Sequence, residues 1–271
     1  MSVRVLFKAK EFSRYIKALS GVNQYGKFVF THSSVTCQVG DPAMIYMGYI
    51  SLDPTTFLEY DLKLNDSCPS VTSNIHFLYF NMAMKSIEDS DTCSLLINSS
   101  NSFVEFNIHR ENGAIDEHLI KVIEDNDILE YLDGGSITSS ALINIDKFML
   151  ALRSLNTLTS QCKMSIDHNY VNIETDSSEQ NISGKTRIKA LTSLTCSGVE
   201  KHNFNSSILL KVTSSSSHLG EKLSIIYRGD VWPIELEIKL QGDGFMKYCI
   251  CSIVTEEDMD INSAMESIET L

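Results

Sequence analysis

Residues 12–37, FSRYIKALSGVNQYGKFVFTHSSVTC, and residues 148–173, FMLALRSLNTLTSQCKMSIDHNYVNI, align without a gap at an offset of 136 (148 − 12). Phe12 falls on Phe148, Ile16 on Leu152, Lys17 on Arg153, Leu19 on Leu155, Lys27 on Lys163, His32 on His168 and Val35 on Val171. Each stretch opens with apolar residues spaced as one face of a helix and continues as polar break, strand, turn and second strand. Apolar spacing alone is common to any surface helix. A cation, a His and a turn at the same points argue for an internal duplication. The expected fold is α+β, with two similar halves, each made of antiparallel β-sheets and two helices.

Outward from these stretches, 3–7 reads as a strand and 10–20 as a helix, with Lys10, Arg14 and Lys17 clustered opposite the stripe of Phe12, Tyr15, Ile16 and Leu19. Strands are expected at 27–31, 35–39, 44–52 and 60–64, a loop at 67–73 and a helix at 78–87 carrying Lys85. A hairpin is expected over 93–108 and a strand at 118–123. The second half predicts a strand at 141–145, a helix at 146–158, strands at 163–166, 170–174 and 184–191, and a helix over 206–218. The run Ser214 to Ser217 should leave that helix short or frayed. Strands at 222–227, 233–240 and 245–253 complete the plan.

The chain has 35 acidic and 22 basic residues, a formal charge of −13. Bulk charge therefore excludes non-specific coating of nucleic acid, and any such contact needs a segregated basic surface. No opening apolar run of signal-peptide form is present, and no segment approaches the roughly 18 apolar residues of a membrane span, so an intracellular, soluble protein is expected. Seven scattered cysteines include no CxxC pair. Cys249 and Cys251, two apart, would share one side of a strand as reduced residues, and no metal is expected. No phosphate-cradling loop, nucleophile elbow, HExxH or paired-carboxylate signature is present, which favours a protein that is not an enzyme and uses no cofactor. The matched His32 and His168 read as structural turn residues.

Several blocks in order resemble the sliding-clamp family of proliferating cell nuclear antigen. They are Glu11-Phe-Ser-Arg-Tyr-Ile-Lys-Ala-Leu19, Ser33-Ser-Val-Thr-Cys-Gln-Val-Gly-Asp41, Lys121-Val-Ile-Glu-Asp-Asn-Asp-Ile-Leu-Glu-Tyr-Leu132, Lys147-Phe-Met-Leu-Ala-Leu-Arg-Ser-Leu155, Asp230-Val-Trp-Pro-Ile-Glu-Leu-Glu-Ile-Lys-Leu240 and Gly244-Phe-Met-Lys-Tyr248. An acidic tail follows. The resemblance covers nearly the whole chain and implies clamp domains at 1–117 and 139–254, an interdomain connector at 118–138 and a tail at 255–271.

The resemblance further implies a ring, usually a homotrimer, that encircles duplex DNA without reading its sequence. Such a clamp tethers DNA polymerase and other replication or repair factors through clamp-binding peptides, and needs a clamp loader. It would act in the nucleus or at a viral replication site, away from membranes. DNA would meet Lys10, Arg14, Lys17, Lys85, Lys147, Arg153 and Lys211. The partner groove maps onto Gly40, Met44, Ile45, Leu132, Pro233, Cys249 and Cys251. Ring closure would join the strand with His118 and Ile120 to the one with Ser183, Thr186 and Ile188, and a proline at Ile120 or Thr186 is expected to open it. The chain departs from the family pattern in Cys249, where an aromatic is usual, in Ser252, which replaces a Pro, and in the extra Trp232. These departures suggest a divergent clamp. Alternatives are a subunit of a heteromeric checkpoint clamp, a viral processivity factor that is not a trimer, and, from another class, a general protein-interaction scaffold.

Overall fold

The offset of 136 runs on through the elements that the two stretches form. In the computed structural model, which describes residues 1–65, 68–98, 101–123, 135–177, 182–195, 201–229 and 232–253, helix α1 spans Ala9–Ser20 and α3 spans Ile145–Asn156, displaced by 136 at both ends (145 − 9 and 156 − 20). Before them lie β1 (Ser2–Lys8) and β10 (Ser139–Asn144). After α1 come β2 (Tyr25–Phe30), β3 (Val35–Gly40), β4 (Tyr46–Leu52), β5 (Glu59–Lys63) and β6 (Val71–His76). Helix α2 (Phe77–Ala83) is followed by β7 (Thr92–Asn98), β8 (Phe103–His109) and β9 (Ile115–Lys121). After α3 come β11 (Gln161–Asp167), β12 (Tyr170–Ser177), β13 (Ile182–Lys189), β14 (Thr192–Thr195), β15 (Lys201–Asn205), α4 (Ser206–Ser216), β16 (Lys222–Tyr227), β17 (Ile234–Lys239) and β18 (Phe245–Ile250). The order strand, helix, five strands, helix, three strands thus occurs twice.

Three sheets result, with strand orders β5-β1-β7-β8-β9, β14-β10-β16-β17-β18-β4-β3-β2-β6 and β13-β12-β11-β15. Every pair whose register is described is antiparallel. The chain divides into two compact units. One comprises Met1–Gly134, Val212–Leu223 and Leu236–Cys249, and the other Gly135–Lys211, Ser224–Glu235 and Ile250–Leu271.

In the first unit α1 buries Phe12, Ile16 and Leu19. Phe12 meets Phe7 at 4.3 Å between ring centroids and Phe80 of α2 edge-on at 5.3 Å, and Phe80 meets Phe106 at 4.8 Å. Full burial of each such ring contributes roughly 1.5–3 kcal/mol, so this cluster fixes α1 and α2 on the sheet. In the second unit α3 buries Phe148, Leu152 and Leu155. Gly184 of β13 passes so close that a Cβ there would lie 2.8 Å from Leu155 Cδ2 and 2.9 Å from Leu158 Cδ1. Gly48 of β4, again 136 earlier (184 − 48), is confined by Val39 and Val22 at 3.0 and 3.1 Å. At both places a side chain would push the strand off its neighbours.

Several expected elements need correction. Residues 71–73, expected as loop, open strand β6: Val71, Ser73 and Ile75 are buried in alternation, and the small polar Ser73 hid the pattern. Strands β14 and β15 were not expected; their sequences, TSLT and KHNFN, offer little apolar alternation. Strand β4 begins at Tyr46 because Met44 takes φ 58° in a turn whose Asp41 N–H donates to Tyr46 O. Helix α2 ends at Ala83, and Lys85 sits in a 3-10 turn, Met84–Ser86. Helix α4 runs through Ser216, two residues short of the expected end, so the serine run shortens it without breaking it earlier. Ser215 and Ser216 hydroxyls both donate to Val212 O at 2.9 Å, and Ser216 also to Thr213 O at 3.3 Å, so these serines bond back onto the helix's own carbonyls. Ser215 also abuts Gly21, where a Cβ would stand 2.6 Å from its own. Cys249 is buried in β18 whereas Cys251 lies beyond the strand and is exposed, so the two do not share one strand face.

Candidate nucleic-acid interface

Helix α1 presents Lys10, Arg14 and Lys17 to solvent because its apolar stripe holds the opposite face against the sheet. The three cations are not equivalent. The Lys10 ammonium pairs with the Asp89 carboxylate, whereas Arg14 and Lys17 have no ion-pair partner among the described residues. Two contacts tether α1, one near its end and one at its middle: Tyr248 OH donates to Ala18 O at 3.2 Å, and His218 Nε2 lies 3.1 Å from Arg14 O. A ring nitrogen facing a carbonyl must carry the proton, so His218 donates there. Burial, and then the nearby Lys17 and Arg14 charges, lower the His218 pKa, against the opposing pull of that hydrogen bond. Lys85 is also exposed in this unit.

In the second unit Lys147, Arg153 and Lys211 are all exposed. On α3 the outer face reads Lys147, Leu150, Arg153 at i, i+3, i+6, and Leu150 is 68% exposed. The positive charges there are thus separated by an apolar residue, a feature the sequence pattern held but the charge count overlooked. Helix α3 is capped by Asn144, whose Oδ1 accepts from Lys147 N–H at 3.1 Å. Its C-terminal Asn156 accepts from the hydroxyls of Ser206 (2.7 Å) and Ser207 (2.9 Å), which joins it to α4.

Strands β9 and β13 are each the last strand of a sheet. His118 is half-buried and Ile120 buried on β9; Ser183 is exposed, Thr186 half-buried and Ile188 buried on β13. Backbone direction decides which groups face outward. Val122 N–H donates inward to Ser102 O and Ala190 N–H to Asn169 O, so residues two apart, including Ile120 and Thr186, also point inward. By the same alternation the outward N–H groups include those of Leu119 on β9 and of Lys185 and Arg187 on β13, which meet no further strand among the described residues. The proline positions expected from sequence would therefore break ladder bonds within a unit instead of edge donors.

Of the expected groove, Leu132 and most of the connector, together with the tail, lie outside the described residues. Met44 and Ile45 are 48% and 44% exposed, side by side on the turn before β4, while Gly40 is half-buried and its carbonyl accepts from Asn23 Nδ2 at 2.7 Å. Cys249, in β18, is buried; in the other unit Pro233 is half-buried and Cys251 exposed. The extra Trp232 has a place in that unit: its Nε1 would stand 3.0 Å from a Cβ at Gly135, which takes φ 83°. Arg228 donates to Gly135 O at 2.8 Å while its Nε holds Glu235 at 2.9 Å.

Neither the protein-family models nor the curated proteins compared with this chain give a match.

Sequence reasoning missed three exposed features. Leu78, Tyr79 and Met82 are 46%, 51% and 56% exposed on α2, and Tyr79 meets His76 at 5.2 Å. Arg187 lies over the Tyr170 ring at 4.5 Å. Lys239, at the end of β17, is exposed beside α1 in a cleft with Arg14. Among the described residues no three His, Cys, Asp or Glu side chains stand together as metal ligands would, and no helix is long and apolar enough to cross a membrane.

Proposed function

We propose that this chain is a sliding clamp of the proliferating cell nuclear antigen type, a non-enzymatic ring that encircles duplex DNA and tethers a polymerase. The observation that carries this reading is the twice-repeated element order, with the same pairing each time: β5-β1-β7-β8-β9 matched by β14-β10-β16-β17-β18, and β6-β2-β3-β4 matched by β15-β11-β12-β13. Two such halves per chain supply the repeats that a closed ring needs. Exposed cations on α1, α3 and α4 in a chain of net charge −13 supply contacts to phosphates without base readout.

Assembly would proceed head to tail, β9 of one copy extending β13 of the next. The strand charges fit this pairing: β9 carries Asp116 and Glu117 against Lys121, with Asp116 also held by Arg110, and β13 carries Lys185, Arg187 and Lys189, with Lys185 also held by Glu174. Partner peptides would use the exposed Met44 and Ile45. Light scattering after size exclusion, with retention on nicked circular against linear duplex, tests the reading. A three-copy mass and retention that is lost on linearisation are expected. A monomer that releases both templates equally would overturn it, and a stable mass only with a different partner chain would favour the heteromeric alternative.

A further inference from the structure

A cleft of about 230 Å³ lies in the first unit between α1 and the turn after β17. Glu11, Arg14 and Tyr15 of α1 line it together with Leu219 and with Lys239 and Gln241 at and after the end of β17. It is smaller than the roughly 300 Å³ at which pockets for drug-sized molecules begin, so a small ion or a single group of a larger ligand is the natural occupant.

We propose that this cleft binds a phosphate group, held between Arg14 and Lys239. Both cations are exposed and neither has an ion-pair partner among the described residues, in contrast to Lys10 on the same helix. They belong to two separate elements that line the cleft, α1 and the end of β17, so a tetrahedral anion held there accepts from both. The only carboxylate in the lining, Glu11, has the Lys8 ammonium 3.8 Å away, so its repulsion is partly offset. Tyr15 is pushed up to about 12, first by burial and then by Glu11, and its phenol stays a protonated donor at any physiological pH. Gln241 adds an amide donor. Lys239 belongs to a strand end, so the site places a phosphate contact off the helices on which the clamp reading relies.

The phosphate could belong to the duplex backbone or to a free small molecule, and two measurements on the full chain separate these sources. The first is fluorescence anisotropy of a labelled duplex between 50 and 200 mM salt for wild type, Arg14→Gln, Lys239→Gln and Lys239→Arg. Each Gln variant should weaken binding about threefold and reduce the salt slope by about 0.9, while Lys239→Arg retains both. The second is the melting temperature in inorganic phosphate against chloride at equal ionic strength, which should rise for wild type and not for the Gln variants. If wild type ignores duplex but phosphate raises its melting temperature only with both cations present, the cleft serves a small phosphate ligand and the clamp reading alone fails. If duplex binding falls in Arg14→Gln but not in Lys239→Gln, the cleft is no phosphate site and the clamp reading survives. No response to either probe overturns both.

Discussion

The ammonium of Lys10 is held by the carboxylate of Asp89, on the turn that follows α2. One member of the α1 cationic stripe is thus already neutralised, which leaves Arg14 and Lys17 as its cations without an ion-pair partner among the described residues. Both partners are exposed, so the pair itself contributes at most about 1 kcal/mol to folding. Its consequence is electrostatic: Lys10→Ala should reduce duplex affinity less than Lys17→Ala, and Asp89→Asn should raise it. Anisotropy titrations at 50 mM salt measure all three. Equal losses for Lys10→Ala and Lys17→Ala would mean that Asp89 releases Lys10 when DNA arrives.

The proposed ring closure through β9 and β13 makes a prediction set by backbone direction. Leu119 is 70% exposed and its N–H faces outward, as does that of Arg187, whereas those of Ile120 and Thr186 face their own sheets. Leu119→Pro and Arg187→Pro should lower the oligomer to monomer with little change in melting temperature. Ile120→Pro should lower the melting temperature first, since it removes a ladder bond and disturbs a buried side chain. Light scattering and thermal unfolding on the same samples check this. An oligomer that survives both edge prolines would place the interface elsewhere.

Much of this architecture was legible where side chains repeat with a strong period. Phe12, Ile16 and Leu19 and their partners Phe148, Leu152 and Leu155 announce both long helices, and α1 and α3 lie where the stripe places them. What escaped notice depends on contacts distant in sequence. Strand β6 is held by pairing with β2, not by its own composition. The serines of α4 look like helix breakers until Gly21 and Tyr248 are seen against Ser215. For the candidate site, charge and spacing on α1 indicated exposure, and all seven expected cations are exposed. The Asp89 pairing of Lys10 and the approach of Lys239 join residues 79 and 225 positions apart (89 − 10 and 239 − 14), which no local pattern records.

Arg110 organises the end of β8. Its guanidinium donates to Asp91 at 2.8 Å, to Asp116 at 2.5 Å and to Ser86 O at 2.7 Å, and Asp91 is only 2% exposed. Removing the cation leaves the Asp91 carboxylate without its charged partner, so Arg110→Leu should lower the urea midpoint at pH 7. The Asp91 pKa is lowered, chiefly by the Glu88 N–H and also by Arg110. A depressed carboxyl stabilises the fold at pH above its unfolded value of 3.8, and that contribution disappears as pH falls through the folded value. Wild type should therefore lose more stability than Asp91→Asn between pH 6 and pH 3. Parallel losses would assign acid sensitivity to other carboxylates.

His218 gives the opposite end of the pH scale a role. Its pKa is lowered from 6.5, mainly by burial, with Lys17 and Arg14 adding repulsion. The unfolded chain therefore binds this proton more readily than the folded one, and stability rises with pH through this region. On acidification the contribution is lost below the unfolded value of 6.5, so melting temperature should fall between pH 7.5 and 5.5 more in wild type than in His218→Gln. His76 is lowered by burial too and remains in both proteins, so only the difference between them reports on His218. A phosphate beside Arg14 and Lys17 reverses the balance, because an anion favours the protonated ring. Duplex affinity should accordingly increase from pH 7.5 to 5.5 in wild type and increase less in His218→Gln, measured by anisotropy at constant salt. If the two proteins respond identically, His218 lies outside the field of any bound phosphate and acts only as the donor that holds Arg14 O.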